Sequence, residues 1–319
     1  MAQLSCDVCG SSDSTPYSTP VDYITGERFA VVRCPHCGLI YVDPQPPLAD
    51  LKRYYPAGHQ QAEPAAYELM DAKARVRFVA QHVPAKPGLA LDVGCGKGLL
   101  LQGLRERDWQ VYGTELSEIS SSHARSKGLT VYTSMVEEAP FEAGSFDLIT
   151  LFHVLEHLPQ PKNTISVLFT LLRPGGSLLI EVPNIGSWYA KSFGDDWFHY
   201  DVPRHLFHFN PQTLHQLISN AGFVITRTDT HNIQYDAFGA VQSFLNRILD
   251  KPNLLNNFNT KQITLSELWS GEDRIRSVIA LAFSELVLAI GFPLMALVGL
   301  LLSPWVNGGT LRMLAKKPD

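Results

Sequence analysis

The sequence lacks an excess of positive charge. Its 319 residues include 26 lysines and arginines against 31 aspartates and glutamates, which gives a formal net charge of -5. Nucleic-acid-binding proteins carry a basic face that attracts phosphates, so this composition gives no reason to expect nucleic acid as a partner. The N-terminus also lacks a basic region followed by an apolar run, so we predict no secretory signal and a cytoplasmic protein.

Cysteine is scarce, but its placement is informative. Four of the five cysteines form two Cys-x-x-Cys pairs, which are Cys6 with Cys9 and Cys34 with Cys37. In a reducing compartment such pairs indicate a metal site more than disulfides. The 24 residues between the pairs exceed the commonest zinc spacing, but a ribbon with a β-hairpin between its two knuckles accommodates them. We therefore predict a structural zinc ion with these four ligands, and unligated thiols are the alternative.

The middle of the chain alternates between short apolar runs and helical patterns. The apolar runs are typical of strands buried on both faces, and they are Leu89–Val93, Val111–Thr114, Phe146–Leu151 and Ser177–Val182. Phe223–Thr228 is predicted as another strand. The helical patterns are Tyr67–His82, Leu99–Arg107, Ile119–Lys127, Lys162–Leu172 and Thr213–Ala221. Such alternation predicts an α/β fold with a doubly wound, mostly parallel sheet.

A glycine turn follows the first of these strands, in Asp92-Val-Gly-Cys-Gly-Lys-Gly98. A strand that ends in such a turn and opens into a helix presents backbone N–H groups and the positive end of the helix dipole to a ligand. Glu115 ends the next strand, 17 residues after Gly98, where a carboxylate can accept hydrogen bonds from ribose hydroxyls. A dinucleotide site prefers Gly-x-Gly-x-x-Gly, so Leu99 disfavours a nicotinamide-dependent oxidoreductase.

Two further segments complete a pattern in fixed order. They are Phe146-Asp-Leu-Ile-Thr followed by Val154-Leu-Glu-His157, and Leu172-Arg-Pro-Gly-Gly176. Together with the glycine turn and Glu115, they make the sequence resemble the class I S-adenosylmethionine-dependent methyltransferases. The resemblance implies a Rossmann-like fold with a seven-stranded sheet, S-adenosylmethionine as cofactor and methyl transfer as activity.

The resemblance also implies a role for each residue that matches the family's cofactor motif. Asp92 would orient the glycine turn, Glu115 would bind the ribose, and Leu116 would pack on the adenine. The other implied cofactor contacts are Gly94, Gly96, Gly98, Ser134, Met135, Phe152 and His153. Ser134 stands where the family has an acidic residue.

Polar residues after the strand Phe146–Leu151 could assist methyl transfer. In an open α/β sheet this edge faces the ligand crevice, and His153, Glu156 and His157 lie there at spacings that share one helical side. An oxygen nucleophile would benefit from a nearby base, and His157 is our catalytic candidate in this cluster. Two alternatives stay open: Glu156 and His157 brace the start of a helix, or the three residues bind a divalent metal.

The stretch from Phe193 to Pro211 is dense in aromatic, histidine, aspartate and arginine side chains. In the family that the sequence resembles, this region commonly forms the acceptor pocket. A pocket wall of aromatic residues with a few polar groups suits a partly apolar acceptor. The acceptor-side candidates are Tyr200, Arg204 and His205, with His205 as a candidate base. The alternative is a packed lid whose aromatic residues belong to the core.

The tail contains an unusually long apolar stretch. Leu286–Leu311 has no charged residue, which is long enough to cross a membrane. The resemblance implies a sheet that ends in an antiparallel strand, and Thr310–Ala315 is the candidate for it, so both ends of the apolar stretch should lie on one side. We therefore predict a helical hairpin, bent at Gly291-Phe-Pro293, that makes a monotopic membrane contact through 277–303. A buried helical pair and a homodimer interface are the alternatives.

These observations predict five parts of the chain. They are a zinc-ribbon module at 1–45, a linker at 46–66, a cofactor-binding catalytic domain at 67–230, an apolar helical insertion at 231–304 and the last strand at 305–319. Within the insertion, we predict a helix at Ala237–Leu249 and a loop at Asn253–Asn259.

The resemblance implies an S-adenosylmethionine-dependent methyltransferase, either cytoplasmic or at the inner face of the membrane. Similar zinc modules occur in methyltransferases that act on sugars and in bacterial surface-polysaccharide clusters. The acceptor would therefore be a hydrophobic or lipid-linked small molecule, or a sugar precursor. The competing hypothesis is a non-catalytic S-adenosylmethionine-binding protein that uses its zinc module for protein contacts.

Overall fold

The computed structural model describes residues 5–54, 66–83, 86–260, 262–270, 273–303 and 307–319. Part of the predicted linker at 46–66 lies outside these residues. The chain forms two compact units. We call the described residues of 60–182, 214–228 and 312–319 the sheet unit, and those of 1–59, 183–213 and 229–311 the cysteine unit. The predicted domain boundaries stay predictions.

Eleven strands and ten α-helices are present in the described part of the chain. The strands are β1 (Thr15–Ser18), β2 (Val31–Arg33), β3 (Ile40–Val42), β4 (Leu89–Val93), β5 (Gln110–Thr114), β6 (Thr130–Tyr132), β7 (Phe146–Phe152), β8 (Leu172–Pro183), β9 (Phe207–His208), β10 (Val224–Asp229) and β11 (Thr310–Lys316). The helices are α1 (Ala66–His82), α2 (Leu99–Arg105), α3 (Glu118–Ser126), α4 (Pro161–Leu171), α5 (Trp188–Phe193), α6 (Pro211–Asn220), α7 (Ile233–Ile248), α8 (Leu254–Asn259), α9 (Leu265–Ser270) and α10 (Arg274–Leu302).

Seven strands form one mostly parallel sheet in the order β10-β11-β8-β7-β4-β5-β6. The central strand β4 pairs in parallel with β5 and β7, so that Leu91 lies opposite Tyr112 on one side and Ile149 on the other. β7 also runs parallel to β8, and β5 runs parallel to β6. The predicted doubly wound, Rossmann-like fold is therefore confirmed.

The apolar strands are buried because helices of the sheet unit pack against them. Leu101 and Leu104 of α2 and Val79 of α1 share one core cluster with Leu148 of β7 and Leu179 of β8. Burial of such side chains is the main favourable term in folding, and it explains why these strands lack polar alternation.

The cysteine unit contains a second, smaller sheet in the order β1-β2-β3-β9. β1 and β2 pair antiparallel between the two cysteine pairs, and β3 follows the second pair. β9 lies within the aromatic stretch 193–211 and pairs antiparallel with β3, with Ile40 opposite His208 and Tyr41 opposite Phe207. The N-terminal module and the aromatic stretch therefore share one sheet.

Two predictions for the tail are wrong. Residues 254–259 form α8 instead of a loop, because Leu254 and Leu255 are buried and this packing outweighs the weak helix propensity of the neighbouring asparagines. The hairpin bent at 291–293 is absent, because α10 continues through Pro293 as one helix of 29 residues. Val287 and Leu288 before the proline, and Met295 after it, pack against the same core, which offsets the hydrogen bond that proline removes.

α10 is the one helix of the described residues that is long and apolar enough to cross a membrane by length and composition. Only 11% of its most apolar window is buried. A core helix of a soluble protein would be mostly buried. The exposure of α10 therefore needs a separate explanation.

Candidate cofactor site

The glycine turn lies between β4 and α2, at the carboxyl end of the central strand. Gly94, Gly96 and Gly98 all have positive φ values of 67°, 52° and 75°. A Cβ on Gly98 would lie 2.4 Å from Leu129, so packing within the protein explains that glycine. A Cβ on Gly96 would meet no atom within 4 Å, so Gly96 borders open space in which a ligand can approach the backbone.

Glu115 lies beside this turn, at the end of β5. Its carboxylate accepts hydrogen bonds from the backbone N–H of Gly96 at 2.9 Å and from that of Ser117 at 2.7 Å. Each carboxylate oxygen can accept a second hydrogen bond, so both oxygens keep a lone pair for ribose hydroxyls. The structure thus brings together two residues that the sequence predicted to bind one nucleoside.

The residues predicted to contact adenine lie near Glu115. The N–H of Glu115 donates to the carbonyl of Tyr132 at 3.0 Å, which holds the chain after β6 next to the chain after β5. Leu116 is 59% exposed, so its apolar side chain is accessible to a flat ring. Among the described residues, the buried Oγ of Ser134 has no hydrogen-bond partner. Such an oxygen suits adenine, whose amino group donates and whose ring nitrogens accept.

Asp92 lies on β4, two residues before the glycine turn, and is 5% exposed. Burial raises the pKa of its carboxyl to about 7, although the hydroxyl of Thr150 donates to it at 2.7 Å and the charge of Arg75 favours its ionised form. The guanidinium of Arg75 also lies 4.6 Å from the ring centre of Phe152. Phe152 is buried in the core of the sheet unit, and Met135 is half-buried.

His153 is held between two buried carboxylates. Its Nε2 lies 3.1 Å from Glu181, and its Nδ1 lies 3.4 Å from Glu156. Burial acts to lower the pKa of His153, but the two carboxylates outweigh burial and raise it to about 9. Arg312 donates from Nε to the other oxygen of Glu181 at 2.6 Å. His153 therefore carries a proton at neutral pH. Arg312, Glu181 and His153 form a row of alternating charges.

We expect protonation of His153 to make stability depend on pH. Its folded-state pKa of about 9 exceeds the ordinary 6.5, so the folded state binds more protons between these values. The contribution is complete below about pH 6.5, and it is lost as pH rises through about 9, with a slope of up to about 1.4 kcal/mol per pH unit. Urea unfolding of the wild type and of His153→Gln at both ends of this window checks the prediction. Equal pH dependence in the two proteins would contradict it.

Sequence reasoning missed Glu181, Arg312 and Arg75. Glu181 is the single acid of β8 and lies in its buried part, next to apolar residues, and a buried charge requires a partner. That signal was present in the sequence, but the partner could not be identified, because Arg312 lies 131 residues further along the chain.

The acceptor-side candidates lie in the cysteine unit and are all buried. The hydroxyl of Tyr200 lies 2.6 Å from that of Ser18, and burial raises the pKa of this phenol above its ordinary value. Nδ1 of His205 lies 2.9 Å from the carbonyl of His199. His157, by contrast, ends a short 3-10 helix in the sheet unit. The catalytic roles of these residues stay predictions.

Arg204 is anchored by the N-terminal module and by its own segment. Its Nη1 donates to Asp22 at 2.8 Å and to the carbonyl of Tyr54, and its Nε donates to Asp201 at 2.9 Å. The ring of Tyr23 lies 4.5 Å from its guanidinium carbon. These contacts give Arg204 a structural role, which the sequence alone did not indicate.

The four paired cysteines lie together in the cysteine unit. Their sulfur atoms all lie within 4.8 Å of one another, with Cys6 at 3.4 Å from Cys37 and Cys9 at 3.5 Å from Cys34. The two pairs have the same local geometry. The N–H of Gly10 donates to the carbonyl of Cys6, and the N–H of Gly38 donates to that of Cys34. Both pairs therefore form the same tight turn, with the two sulfurs on one side.

Comparison with known proteins identifies the sheet unit. The family described as Methyltransferase domain matches residues 61–228. The ubiquinone biosynthesis O-methyltransferase of Methylococcus capsulatus is 33% identical over 117 residues, which are 34% of this chain and 49% of that protein. The chain thus spans about half the length of the curated relatives it matches.

Solved structures of similar fold agree with this result. A sarcosine dimethylglycine methyltransferase described as putative, from Galdieria sulphuraria, superimposes with a TM-score of 0.50 at 16% identity, over 79% of this chain and 86% of that one. The cyclase SpnF superimposes with a TM-score of 0.50 at 17% identity, over 83% of this chain and 86% of that one. At such identities the likeness shows the fold alone, whereas the sequence match over more than half of the chain shows the family. The chain belongs to the methyltransferase domain family.

Proposed function

We propose that the protein binds S-adenosylmethionine and transfers its methyl group to a hydrophobic or lipid-linked small molecule, or to a sugar precursor. The observation that carries the proposal is the carboxylate of Glu115, which is fixed against Gly96 at the mouth of the glycine turn. The exposed Leu116 and the unsatisfied Oγ of Ser134 support a nucleoside at the same place. Family membership supports the sulfonium cofactor over other nucleosides.

When bound, S-adenosylmethionine supplies an electrophilic methyl group, and displacement at this group depends mainly on alignment. Glu115 would hold the ribose and Asp92 would order the turn, so that both fix the position of the cofactor. His153 would border the methionine end of the cofactor, and its contacts with Glu156 and Glu181 would fix the orientation of its ring.

The accepting atom is proposed to be an oxygen. The support is the similarity to relatives named O-methyltransferases, which covers about half of their length. An oxygen nucleophile is activated by removal of its proton, and His157 and His205 are the candidate bases. The protein would act in the cytoplasm or at the inner face of the membrane.

Formation of S-adenosylhomocysteine tests the proposed activity. Radiolabelled S-adenosylmethionine would be incubated with a lipid extract, a sugar-nucleotide pool or buffer, and label would be followed into each fraction. Transfer into the lipid or sugar fraction supports the proposal. Calorimetric binding without transfer to any fraction would favour the non-catalytic alternative. If His205→Gln turns over like the wild type, His205 is not the base.

We also propose that Cys6, Cys9, Cys34 and Cys37 hold a structural zinc ion. Sulfur atoms around tetrahedral zinc, with bonds of about 2.3 Å, lie about 3.8 Å apart, close to the spacing of these four thiols. Because β3 and β9 pair, the metal would support the aromatic stretch 193–211.

Replacing Cys9 with serine is expected to lower the zinc content from about one ion per chain to near zero, since three thiolates hold zinc poorly at a four-ligand structural site. Cys95→Ser is the matched control, because Cys95 is buried beside Gly113 in the sheet unit. Elemental analysis of both purified variants measures the effect. Zinc-free wild type, or equal zinc in the Cys9 variant, would refute the site.

A further inference from the structure

The outer face of α10 is a continuous apolar surface, which we call the apolar strip. From Ile279 onward, every exposed side chain of the helix is apolar. These residues are Ile279, Ala282, Phe283, Leu286, Ala289, Ile290, Pro293, Leu294, Leu297, Leu300 and Leu301. None of these side chains can donate or accept a hydrogen bond. The large members recur every three or four residues, so they line one side of the helix.

The polarity of α10 is the reverse of that of a surface helix in water. Its serines face the protein, since Ser277 is 2% exposed and Ser284 is fully buried. Glu285, the only acid within the helix, is half-buried. A surface helix of a soluble protein turns its apolar side inward and its polar side to water. This arrangement indicates that the medium outside α10 is apolar.

Contacts within the cysteine unit show that α10 does not leave the protein to cross a bilayer. Near its start, Lys251 donates to the hydroxyl of Ser277. In its middle, a Cβ on Gly291 would lie 3.0 Å from Val241, and near its end a Cβ on Gly299 would lie 3.8 Å from the hydroxyl of Tyr189. The helix is therefore packed along about 33 Å of its length, given a rise of 1.5 Å per residue. Its free face runs parallel to the body of the unit.

A second copy of the chain fits the apolar strip poorly. A strip about 33 Å long and about 10 Å wide covers roughly 330 Å², whereas a stable interface buries about 800 Å² on each partner. Protein interfaces also carry about one hydrogen bond per 100–200 Å² and a polar rim. The strip offers no side-chain hydrogen bond. Insertion into the hydrocarbon of a bilayer requires neither a large buried area nor hydrogen bonds.

The basic residues at the start of α10 complement the negative charge of an anionic lipid surface. Arg274 and Arg276 are exposed and flank Ile275, so the two cations lie on either side of the line of the strip. Long basic side chains at such positions extend to anionic headgroups while their apolar neighbours enter the acyl region. Trp269, just before α10, is 59% exposed, and tryptophan favours the boundary between lipid and water.

We propose that α10 lies in the plane of an anionic bilayer surface, with the apolar strip in the acyl region and Arg274 and Arg276 at the headgroups. The rest of the cysteine unit takes the place of the polar face that an interfacial helix usually has. This inference concerns where the protein binds and holds whether or not methyl transfer occurs. It would give the protein direct access to a lipid-linked acceptor.

Sedimentation with vesicles tests the proposal on the full chain. We expect the wild type to pellet with phosphatidylcholine–phosphatidylglycerol vesicles and less with phosphatidylcholine alone. Leu286→Gln/Ile290→Gln/Leu294→Gln should reduce binding to the mixed vesicles by about tenfold or more, since it removes three apolar anchors. Arg274→Gln/Arg276→Gln should abolish the preference for the anionic vesicles.

The matched control is Leu69→Gln/Met70→Gln/Val224→Gln, which changes three exposed apolar residues of the sheet unit and should bind vesicles like the wild type. Circular dichroism and calorimetric binding of S-adenosylmethionine confirm that each variant is folded. Wild type that stays in the supernatant with both vesicles overturns the proposal, as does a strip variant that pellets normally. Light scattering that shows a lipid-free dimer, lost in the strip variant, would assign the strip to a second copy instead.

Discussion

Replacing Glu115 with alanine is expected to weaken S-adenosylmethionine binding by about 100-fold or more. The carboxylate would accept hydrogen bonds from two ribose hydroxyls, and each bond to a charged acceptor contributes about 1.5 kcal/mol or more. The same carboxylate holds the N–H groups of Gly96 and Ser117. Its loss therefore also loosens the backbone that surrounds the ligand. Isothermal calorimetry with S-adenosylmethionine and S-adenosylhomocysteine measures the effect.

Glu118→Ala is the matched control, because Glu118 is an acid three residues later that pairs with Arg125 at the surface. It should bind the cofactor like the wild type. Glu115→Gln should also weaken binding, since its amide keeps only one acceptor oxygen and therefore loses one of the two backbone hydrogen bonds together with the negative charge. If Glu115→Ala binds S-adenosylmethionine with wild-type affinity while the wild type binds it tightly, the ribose is elsewhere and the proposed cofactor site is wrong.

The sheet and its cofactor edge were predictable because both depend on local sequence patterns. The strand predicted at Leu89–Val93 has the observed bounds, since a short, mostly apolar run between a proline–glycine stretch and a glycine turn favours a buried strand. The position of Glu115 followed from the same logic, because the carboxyl ends of parallel strands meet at one edge.

The elements that could not be predicted depend on contacts between distant residues. The asparagines at 253–259 indicate a loop locally, but Leu255 packs in a core with residues of α7 and α10. Pro293 indicates a break locally, but packing on both sides of it keeps α10 continuous through that position. β9 has only two residues and no strand pattern of its own, and it forms because β3 offers an edge.

The role of Arg204 illustrates the same limit for the site. As a sequence, Pro203-Arg-His205 within an aromatic stretch suggests an acceptor contact. The partner that fixes Arg204 is Asp22, which lies 182 residues earlier in the N-terminal module. Only the contacts in the folded chain distinguish a guanidinium that belongs to a buried ion pair from one that is available to a substrate.

Arg204→Met is expected to destabilise the protein by about 3–5 kcal/mol, because it leaves the carboxylate of Asp22 buried without its cation. The side chains of Arg204 and Asp22 are 3% and 0% exposed. Loss of the bonds to Asp201 and to the carbonyl of Tyr54 adds to the effect. Urea unfolding followed by circular dichroism measures it, and Arg204→Met/Asp22→Asn should recover part of the loss by removing the uncompensated charge.

Arg247→Met provides the contrast within the same unit. Arg247 pairs with Asp196 at 2.9 Å, but the two side chains are 46% and 41% exposed, so this pair should contribute less than about 1 kcal/mol. The structural role of Arg204 also predicts that Arg204→Met, in the fraction that remains folded, binds S-adenosylmethionine normally. A variant with wild-type stability and normal cofactor affinity, but no methyl transfer, would show instead that Arg204 acts on the acceptor.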